Sequence, residues 1–325
     1  PMCAPTRGEL LTGLDNAVNQ LSNVSSGRSL LKSGIPTMGN IFGSNGYSTG
    51  IFGKWHMGSN YPYRPQDRGF DESVWFPSSH IGSVSDFWGN DYFDDTYWHN
   101  GKKQKYKGYC TDIFFKESKR FIEESIDQEK SFFAYIATNT PHGPLYPKQE
   151  DYEVLEKLFD KSKFANRKGF KSVLVKYLAM IRNIDSNVGD LVNFLETKGV
   201  IDDTIIIFLT DNGSTMGKSY FNAGMRGMKT ELWEGGHRVP LFIKWKNGNF
   251  KEVGNEVEGL CRVTDIVPTL VELCGLKITN KSSLKGISLA SILNGKEEIS
   301  KDRKIIINYS RMPNFISYPI PHGQT

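Results

Sequence analysis

Short apolar runs alternate along the chain with longer amphipathic stretches, and this alternation predicts an α/β domain with a mainly parallel sheet. Five runs of four to seven residues are rich in Ile, Val or Phe, as in strands that are covered on both faces. These candidate strands are Thr49–Phe52, Phe132–Ala137, Thr204–Leu209, Val239–Trp245 and Lys304–Asn308.

Helices are predicted where apolar residues recur at steps of three and four. The clearest is Val173–Leu195, which Gly199 ends. Further helices are predicted at Arg7–Leu14, Thr37–Ser44, Thr111–Ser125 and Val263–Leu273.

The segment Trp75–Tyr109 has no regular period but holds ten aromatic residues among 35. We predict a long, ordered surface excursion. Two interpretations stay open: the aromatic rings stack on sugars near a pocket, or they form a small core that clamps the loop.

Composition narrows the class of protein. The 325 residues are 38% hydrophobic and 23% charged, with a mean hydropathy of −0.42, which is ordinary for a soluble globular domain and excludes disorder as the main state. No apolar run approaches the roughly 18 residues that a membrane-spanning helix needs. A net charge of +4 is mild and diffuse, which argues against a nucleic-acid-binding protein. The four cysteines are too few for a disulfide scaffold. A disulfide bond between Cys261 and Cys274 is one alternative, and buried free thiols are the favoured one.

Three polar clusters directly follow predicted strands, where open parallel sheets bind ligands. Lys54 and His56 follow the first strand, two residues apart, so both should face one side while Trp55 faces the other. His142 follows the second strand on a proline-flanked loop. Each of these residues could equally be a solvated surface residue.

The third cluster, Asp211-Asn212-Gly213, offers two adjacent oxygen ligands after an apolar run. Carboxylate and amide oxygens suit a hard cation such as Ca²⁺ or Mg²⁺. The same three residues are also common in turns. Further on, Lys229 in a glycine-rich segment could bind an anion or be solvated.

The start of the chain carries the decisive motif. Residues 3–13, CAPTRGELLTG, resemble the C-x-P-S-R-x-x-L-L-T-G signature of the type I sulfatase family, with Thr6 in place of serine. Four further elements are similar to family elements and follow in the same order. They are GKWHMG at 53–58, TPHGP at 140–144, TDNG at 210–213 and GMK with EGGHRVP at 227–240.

This resemblance, which extends roughly from Cys3 to Leu273, implies a three-layer α/β/α sandwich of the alkaline-phosphatase-like fold. It implies a sulfuric ester hydrolase in which Cys3 is oxidised to formylglycine (3-oxoalanine), whose hydrate is the nucleophile. The resemblance also implies that Arg7 orients the hydrate, that His56 contacts formylglycine and that His142 protonates the departing alcohol. It implies that Lys54 and Lys229 bind sulfate. It implies that Asp211 and Asn212 ligate a single Ca²⁺.

The family pattern also holds elements that this sequence does not show. The other metal carboxylates of the family lie on a strand upstream of the nucleophile, so we expect the remaining Ca²⁺ ligands upstream of residue 1. We therefore interpret the chain as an internal fragment, with residues 1–295 forming the catalytic domain and 296–325 beginning a smaller C-terminal subdomain.

The expected partners are a sulfated glycan or a small aryl sulfate and the formylglycine-generating maturation enzyme, with no nucleic acid and no membrane span. By resemblance the protein is expected in the periplasm or outside the cell. Two alternatives stay open: a phosphomonoesterase or phosphodiesterase of the same superfamily, and a catalytically inactive relative or fragment. An unmodified, reactive Cys3 thiol near a helix N-terminus is the chemical alternative to formylglycine.

Overall fold

A computed structural model describes residues 2–24, 29–165, 168–251, 254, 256–279 and 283–307 of the chain. The helices are α1 (Cys3–Thr12), α2 (Asn16–Asn19), α3 (Met38–Ser44), α4 (Cys110–Asp127), α5 (Gln149–Asp160), α6 (Lys168–Thr197), α7 (Glu234–His237), α8 (Ile266–Leu273) and α9 (Ala290–Leu293). The strands are β1 (Ser48–Lys54), β2 (Glu72–Phe76), β3 (Thr96–His99), β4 (Lys102–Lys105), β5 (Phe132–Ala137), β6 (Ile206–Leu209) and β7 (Leu241–Lys244).

The central sheet has five strands in the order β4-β3-β2-β1-β5. Strand β1 lies parallel to both β2 and β5, which confirms the predicted parallel core of the sheet. Strands β3 and β4 extend it as an antiparallel hairpin. Strands β6 and β7 pair antiparallel in a second, two-stranded sheet, so the predicted parallel strands do not all hydrogen-bond into one ladder.

Successive residues of the central strands pack on opposite faces of the sheet, and this alternation creates the layers. On one face, Ile51 and Trp75 belong to a core with side chains of α1, α3 and α8. On the other, Phe52 and Val74 belong to a core with side chains of α4 and α6. The result is the predicted three-layer α/β/α arrangement.

The five predicted helices are present, with shifted ends. The predicted Val173–Leu195 lies within α6, whose apolar residues Leu174 and Val175 are buried. Thr37 is not helical but caps α3, where its side chain accepts a hydrogen bond from the Asn40 backbone. The predicted Val263–Leu273 helix begins as a short 3₁₀ turn, Val263–Asp265, before α8.

The aromatic excursion is mainly a structural core. It contains the strands β3 and β4, which its lack of periodicity did not predict. Tyr92 and Tyr97 are fully buried and Tyr109 is nearly so, because their rings pack against α4. Only a few members, notably Trp88, are exposed. These contacts favour the loop-clamping interpretation over a platform for sugars.

Two other expectations are settled by the structure. The predicted strand Lys304–Asn308 is wrong over 304–307, where the backbone pairs with no other strand in the described chain and Ile306 is 72% exposed; Asn308 lies outside the described residues. Cys261 and Cys274 are free thiols, as favoured. In the described part of the chain, no helix is long and apolar enough to cross a membrane.

Gly53 lets β1 and β5 approach at the point where the chain enters the predicted site. Its φ is +113°, and a Cβ built there would lie 2.1 Å from the carbonyl oxygen of Ala137 on β5. Both the backbone conformation and the space therefore require glycine. The next residue is Lys54, so this close approach fixes where the Lys54 side chain begins.

We expect Gly53→Ala to lower the free energy of unfolding by about 2–4 kcal/mol, since it adds a steric clash to an unfavourable backbone angle. Gly108→Ala is the matched control, because Gly108 has a φ of +111° with no atom within 4 Å of a built Cβ. The control should lose only about 1–2 kcal/mol. Urea unfolding measures both, and equal losses would show that the β1–β5 approach contributes nothing.

Candidate active site

Helix α1 begins at Cys3, so the thiol lies at the positive end of a ten-residue helix. Cys3 is 3% exposed, and the Nζ of Lys229 lies 3.1 Å from its Sγ. Burial acts to raise the pKa of the Cys3 thiol, and the nearby charges of Lys54 and Lys229 act to lower it. The charges prevail, so the pKa lies below the ordinary thiol value.

Arg7 lies one turn along α1 and joins the elements of the site. Its Nε donates to the Asp211 carboxylate at 3.3 Å, and one guanidinium nitrogen donates both to the Lys54 carbonyl at 3.0 Å and to the Tyr135 hydroxyl at 3.3 Å. The guanidinium is almost fully buried, so each of these bonds replaces water. Tyr135, which the sequence analysis did not single out, comes from β5.

The end of β1 supplies Lys54 and His56, and Trp55 between them packs into the core against Phe70. Lys54 is 3% exposed. Its pKa is lowered, first by burial and further by the charges of Arg7 and Lys229, which the Cys3 thiolate and Asp211 only partly offset.

The hydrogen bonds of His56 identify its tautomer. Nε2 lies 3.0 Å from the Val24 carbonyl oxygen, which can only accept, so Nε2 carries the proton. Nδ1 is then a bare acceptor, and it is buried without a partner in the described chain. Burial and the charge of Lys54 lower the pKa of His56 to about 3, which keeps the ring neutral at physiological pH.

Asp211 and Asn212 directly follow β6. The charges of Arg7 and Lys54 outweigh burial and hold the pKa of Asp211 below its usual range. The Oδ1 of Asn212 is buried and has no hydrogen-bond partner among the described residues. An orphaned acceptor beside an ionised carboxylate is a suitable pair of oxygen ligands for a hard cation.

The glycine-rich segment that carries Lys229 docks against this pair. The Gly213 backbone nitrogen donates to the Gly236 carbonyl at 2.9 Å, and a Cβ on Gly213 would lie 1.8 Å from the Gly235 oxygen. The Gly235 nitrogen in turn donates to the Arg226 carbonyl at 2.8 Å. Backbone contacts thus hold Lys229 beside the Asp211 segment. No group of three or more His, Cys, Asp or Glu side chains that could hold a metal is found within the described ranges.

His142 lies on the loop after β5. The Nδ1 of His142 donates to the Gly143 carbonyl at 2.7 Å. The Tyr92 hydroxyl donates to the backbone carbonyl of His142 at 2.9 Å. Burial and the charge of Lys54 lower the pKa of His142 to about 4. The neutral ring therefore presents an unprotonated Nε2.

A second imidazole, His80, lies against His142 with ring centroids 4.8 Å apart and planes inclined by 13°. His80 follows β2 closely, as His142 follows β5. His80 was not among the predicted site residues, because β2 was not among the predicted strands. The short apolar run Val74-Trp75-Phe76 before the polar Ser78-Ser79-His80 was the available signal.

The structure brings the predicted residues to one region. Cys3 contacts Lys229, and Arg7 contacts both Asp211 and the Lys54 backbone. His56 and His142 both sense the charge of Lys54. The start of α1, the segments that follow β1, β5 and β6, and the Lys229 segment thus bring positive charges together, which suits an anionic ligand.

Comparisons with known proteins identify several sulfatases as relatives. The ulvan-active sulfatase of Formosa agariphila is 26% identical over 95% of this chain and 59% of its own length. The N-acetylgalactosamine-6-sulfatase of Mus musculus is 25% identical over 89% of this chain and 56% of its own. The chain therefore spans somewhat more than half the length of these relatives.

Among solved structures, that of Ps i-CgsB in complex with k-i-k-neocarrahexaose superposes with a TM-score of 0.77 at 27% identity. The superposition covers 91% of this chain and 66% of the other. The family model described as Sulfatase matches residues 1–276, which include every predicted site residue. The chain belongs to the sulfatase family.

Proposed function

We propose that this protein hydrolyses sulfate monoesters and that its natural substrate is a sulfated carbohydrate. Membership of the sulfatase family supports the reaction class. The substrate class is supported by carbohydrates associated with the relatives. Ulvan and N-acetylgalactosamine appear in the names of two relatives, and a neocarrahexaose is bound in one solved structure. Small aryl sulfates are expected to serve as artificial substrates.

The observation that carries the proposal is the concentration of positive charge at Cys3. Lys229 contacts the thiol, and the charges of Lys54 and Arg7 also act on it. A sulfate monoester is an anion whose transition state spreads charge over the sulfuryl oxygens. Preorganised cations in a buried site stabilise that charge more than water does.

The nucleophile in this proposal is formed from Cys3. Oxidation of Cys3 to formylglycine by a maturation enzyme would supply a hydrated aldehyde. One oxygen of the hydrate would attack sulfur and release the alcohol, and the second hydroxyl would then expel sulfate and regenerate the aldehyde. The chain's own residues prepare that position: Arg7 fixes the first turn of α1, and the bare Nδ1 of His56 can accept a hydrogen bond from a hydroxyl.

His142 is proposed to protonate the departing alcohol. Its Nδ1 is already committed to the Gly143 carbonyl, so the proton to be delivered must be held at Nε2. In the free protein burial and nearby lysines disfavour that proton. A bound sulfate ester brings negative charge against Lys54 and Lys229, which raises the proton affinity of His142 as substrate arrives.

Asp211 and Asn212 are proposed to bind Ca²⁺. The ionised Asp211 and the orphaned Asn212 Oδ1 fit a hard cation, but two ligands are fewer than the six to eight oxygens that Ca²⁺ takes. The remaining ligands are expected upstream of residue 1. When bound, the cation would neutralise sulfuryl oxygens and lower the pKa of a coordinated hydroxyl.

A phosphomonoesterase or phosphodiesterase is the second candidate. Asn212 favours a single cation at this position, because two-metal phosphoesterases need a further His or Asp beside the first metal carboxylate. The third candidate is a catalytically inactive relative of the sulfatases. Retention of Cys3, Lys54, His56, His142 and Lys229 around one site argues against lost activity.

We expect Cys3→Ser in the complete gene product, coexpressed with a formylglycine-generating enzyme, to lower turnover of 4-nitrophenyl sulfate by at least about 10³-fold. Serine cannot form the aldehyde hydrate, so the variant should also accumulate as a sulfated protein detectable by intact mass. Cys274→Ser is the control, since Cys274 is a half-buried thiol packed against the α1–α3–α8 core.

Full multiple turnover by Cys3→Ser would contradict the role of Cys3. Faster wild-type hydrolysis of 4-nitrophenyl phosphate than of the sulfate would favour the phosphoesterase candidate. Inactivity of a wild-type protein whose mass shows formylglycine would favour the inactive one.

A protein expressed without the maturation enzyme tests the electrostatics of the site. We expect Cys3 to ionise first of the four thiols, because cations lower its pKa whereas burial raises the pKa values of Cys110, Cys261 and Cys274. Ultraviolet absorbance of the thiolate should show a step at lower pH than the steps of the other three thiols, and this step should vanish in Cys3→Ala. Lys229→Met should move that step to higher pH; an unmoved step would contradict the Lys229–Cys3 contact.

For the cation, we expect Asp211→Ala in the complete gene product to weaken Ca²⁺ binding by tenfold or more, since it removes the one charged ligand identified here. Asn212→Ala should weaken it less. Asp202→Ala, which removes an exposed carboxylate paired with Lys246, is the control. Calorimetry that finds the same affinity in Asp211→Ala and the control would exclude Asp211 as a ligand.

A further inference from the structure

The stacked imidazoles of His80 and His142 come from the two strands that flank β1. His80 follows β2 and His142 follows β5, and both strands lie parallel to β1, which ends at Lys54. The centroid distance of 4.8 Å and the 13° inclination describe rings in face-to-face contact. The two rings therefore meet over the carboxyl end of the strand that carries Lys54.

Hydrogen bonds hold His80 in this position. The hydroxyl of Ser79 lies 2.9 Å from its Nδ1, and the hydroxyls of Ser78 and Ser83 donate to its carbonyl. The ring is thus fixed on the Nδ1 side. The described chain provides no polar partner for its Nε2.

Asn139 joins the two histidine segments. Its side-chain oxygen accepts from the Ile81 backbone at 3.1 Å, and its carbonyl accepts from the His142 backbone at 3.1 Å. Asn139 is 2% exposed, so these bonds form in the interior of the protein. The relative position of the two rings is consequently set by the fold.

We infer that His80 is a positioning residue for the proposed leaving-group acid, because its ring covers one face of His142 and fixes the plane in which His142 Nε2 meets the departing alcohol. This inference rests on the proposed sulfatase function. The Gly143 carbonyl fixes the position of His142 Nδ1, and the stack removes rotation of the ring about that bond.

The two rings share the same charged surroundings. The charged and titratable groups that act on it are Lys54, Lys229 and His80, and those that act on His80 are the two lysines. Two imidazolium rings in contact repel, so the pair takes up one proton at a time. Removal of the His80 ring opens His142 to water and should raise the pKa of His142.

The effect of His80 should depend on the leaving group. A nitrophenolate departs readily without a proton, whereas a sugar or alkyl alkoxide needs one. We expect His80→Ala to lower kcat for an alkyl sulfate or sulfated monosaccharide by about tenfold or more, and kcat for 4-nitrophenyl sulfate by less than about threefold. KM should change by less than about threefold for either substrate, because sulfate binding is left to the lysines.

Two further readouts separate positioning from a structural role. The high-pH limb of the pH–kcat profile should move to higher pH in His80→Ala, since a raised pKa keeps the acid protonated longer. His80→Phe should restore most of the lost kcat, because phenylalanine retains the stack. In a His142→Ala background, His80→Ala should have no further effect on kcat.

His99→Ala is the matched control. His99 stacks on Tyr106 at 6.3 Å and 23°, on the β3–β4 hairpin away from the site. It also pairs with Glu72, so its loss should lower stability without changing leaving-group dependence.

Equal loss of kcat for both substrates in His80→Ala, or a loss confined to KM, would overturn the inference. A wild-type protein that hydrolyses no sulfate ester would overturn the proposed function instead. In that case ¹⁵N-histidine NMR still tests the stack: an unchanged His142 titration in His80→Ala would overturn it, and a rise in the pKa would support it.

Discussion

The site depends on one buried guanidinium. Arg7 bonds to the Asp211 carboxylate, the Lys54 backbone and the Tyr135 hydroxyl, so a single charged group connects α1, β1, β5 and the segment after β6. A buried cation is tolerated only where partners replace its water, and here every partner belongs to a different part of the chain. The geometry around Cys3 is therefore a consequence of satisfying Arg7.

Burial and charge together set the protonation of the site. The charges of Arg7 and the two lysines hold the pKa values of Asp211 and Cys3 below their usual range, whereas burial, assisted by the charge of Lys54, lowers the pKa values of His56 and His142. Hydrogen bonds to fixed carbonyls then decide which nitrogen of each ring is free. In the proposed function, an anionic substrate beside the lysines would oppose this effect and favour the protonated form of His142.

Much of the fold could be predicted because its elements carry strong local patterns. Helix α6 repeats its apolar positions over more than six turns, and β5 is a continuous apolar run. Strand β4 could not be predicted, because its four residues are Lys and Gln and are exposed, so only pairing with β3 makes it a strand. The largely apolar 304–307 segment shows the converse, since it pairs with no strand among the residues that the structure describes. The site position of His80 could not be predicted for a related reason, because it depends on β2 and on tertiary contacts with Asn139.

Lys229 follows Cys3 by 226 positions, and this separation also orders events during synthesis. At about 5–20 residues per second, ribosomes leave the cysteine without its lysine partner for on the order of ten seconds or longer. Throughout that interval the thiol lacks the contact with Lys229. Docking of the last segment closes the interval, since the finished site leaves only 3% of the residue exposed. An external reagent or enzyme that modifies Cys3 must therefore act before this segment docks, and the length of the intervening chain determines the time available.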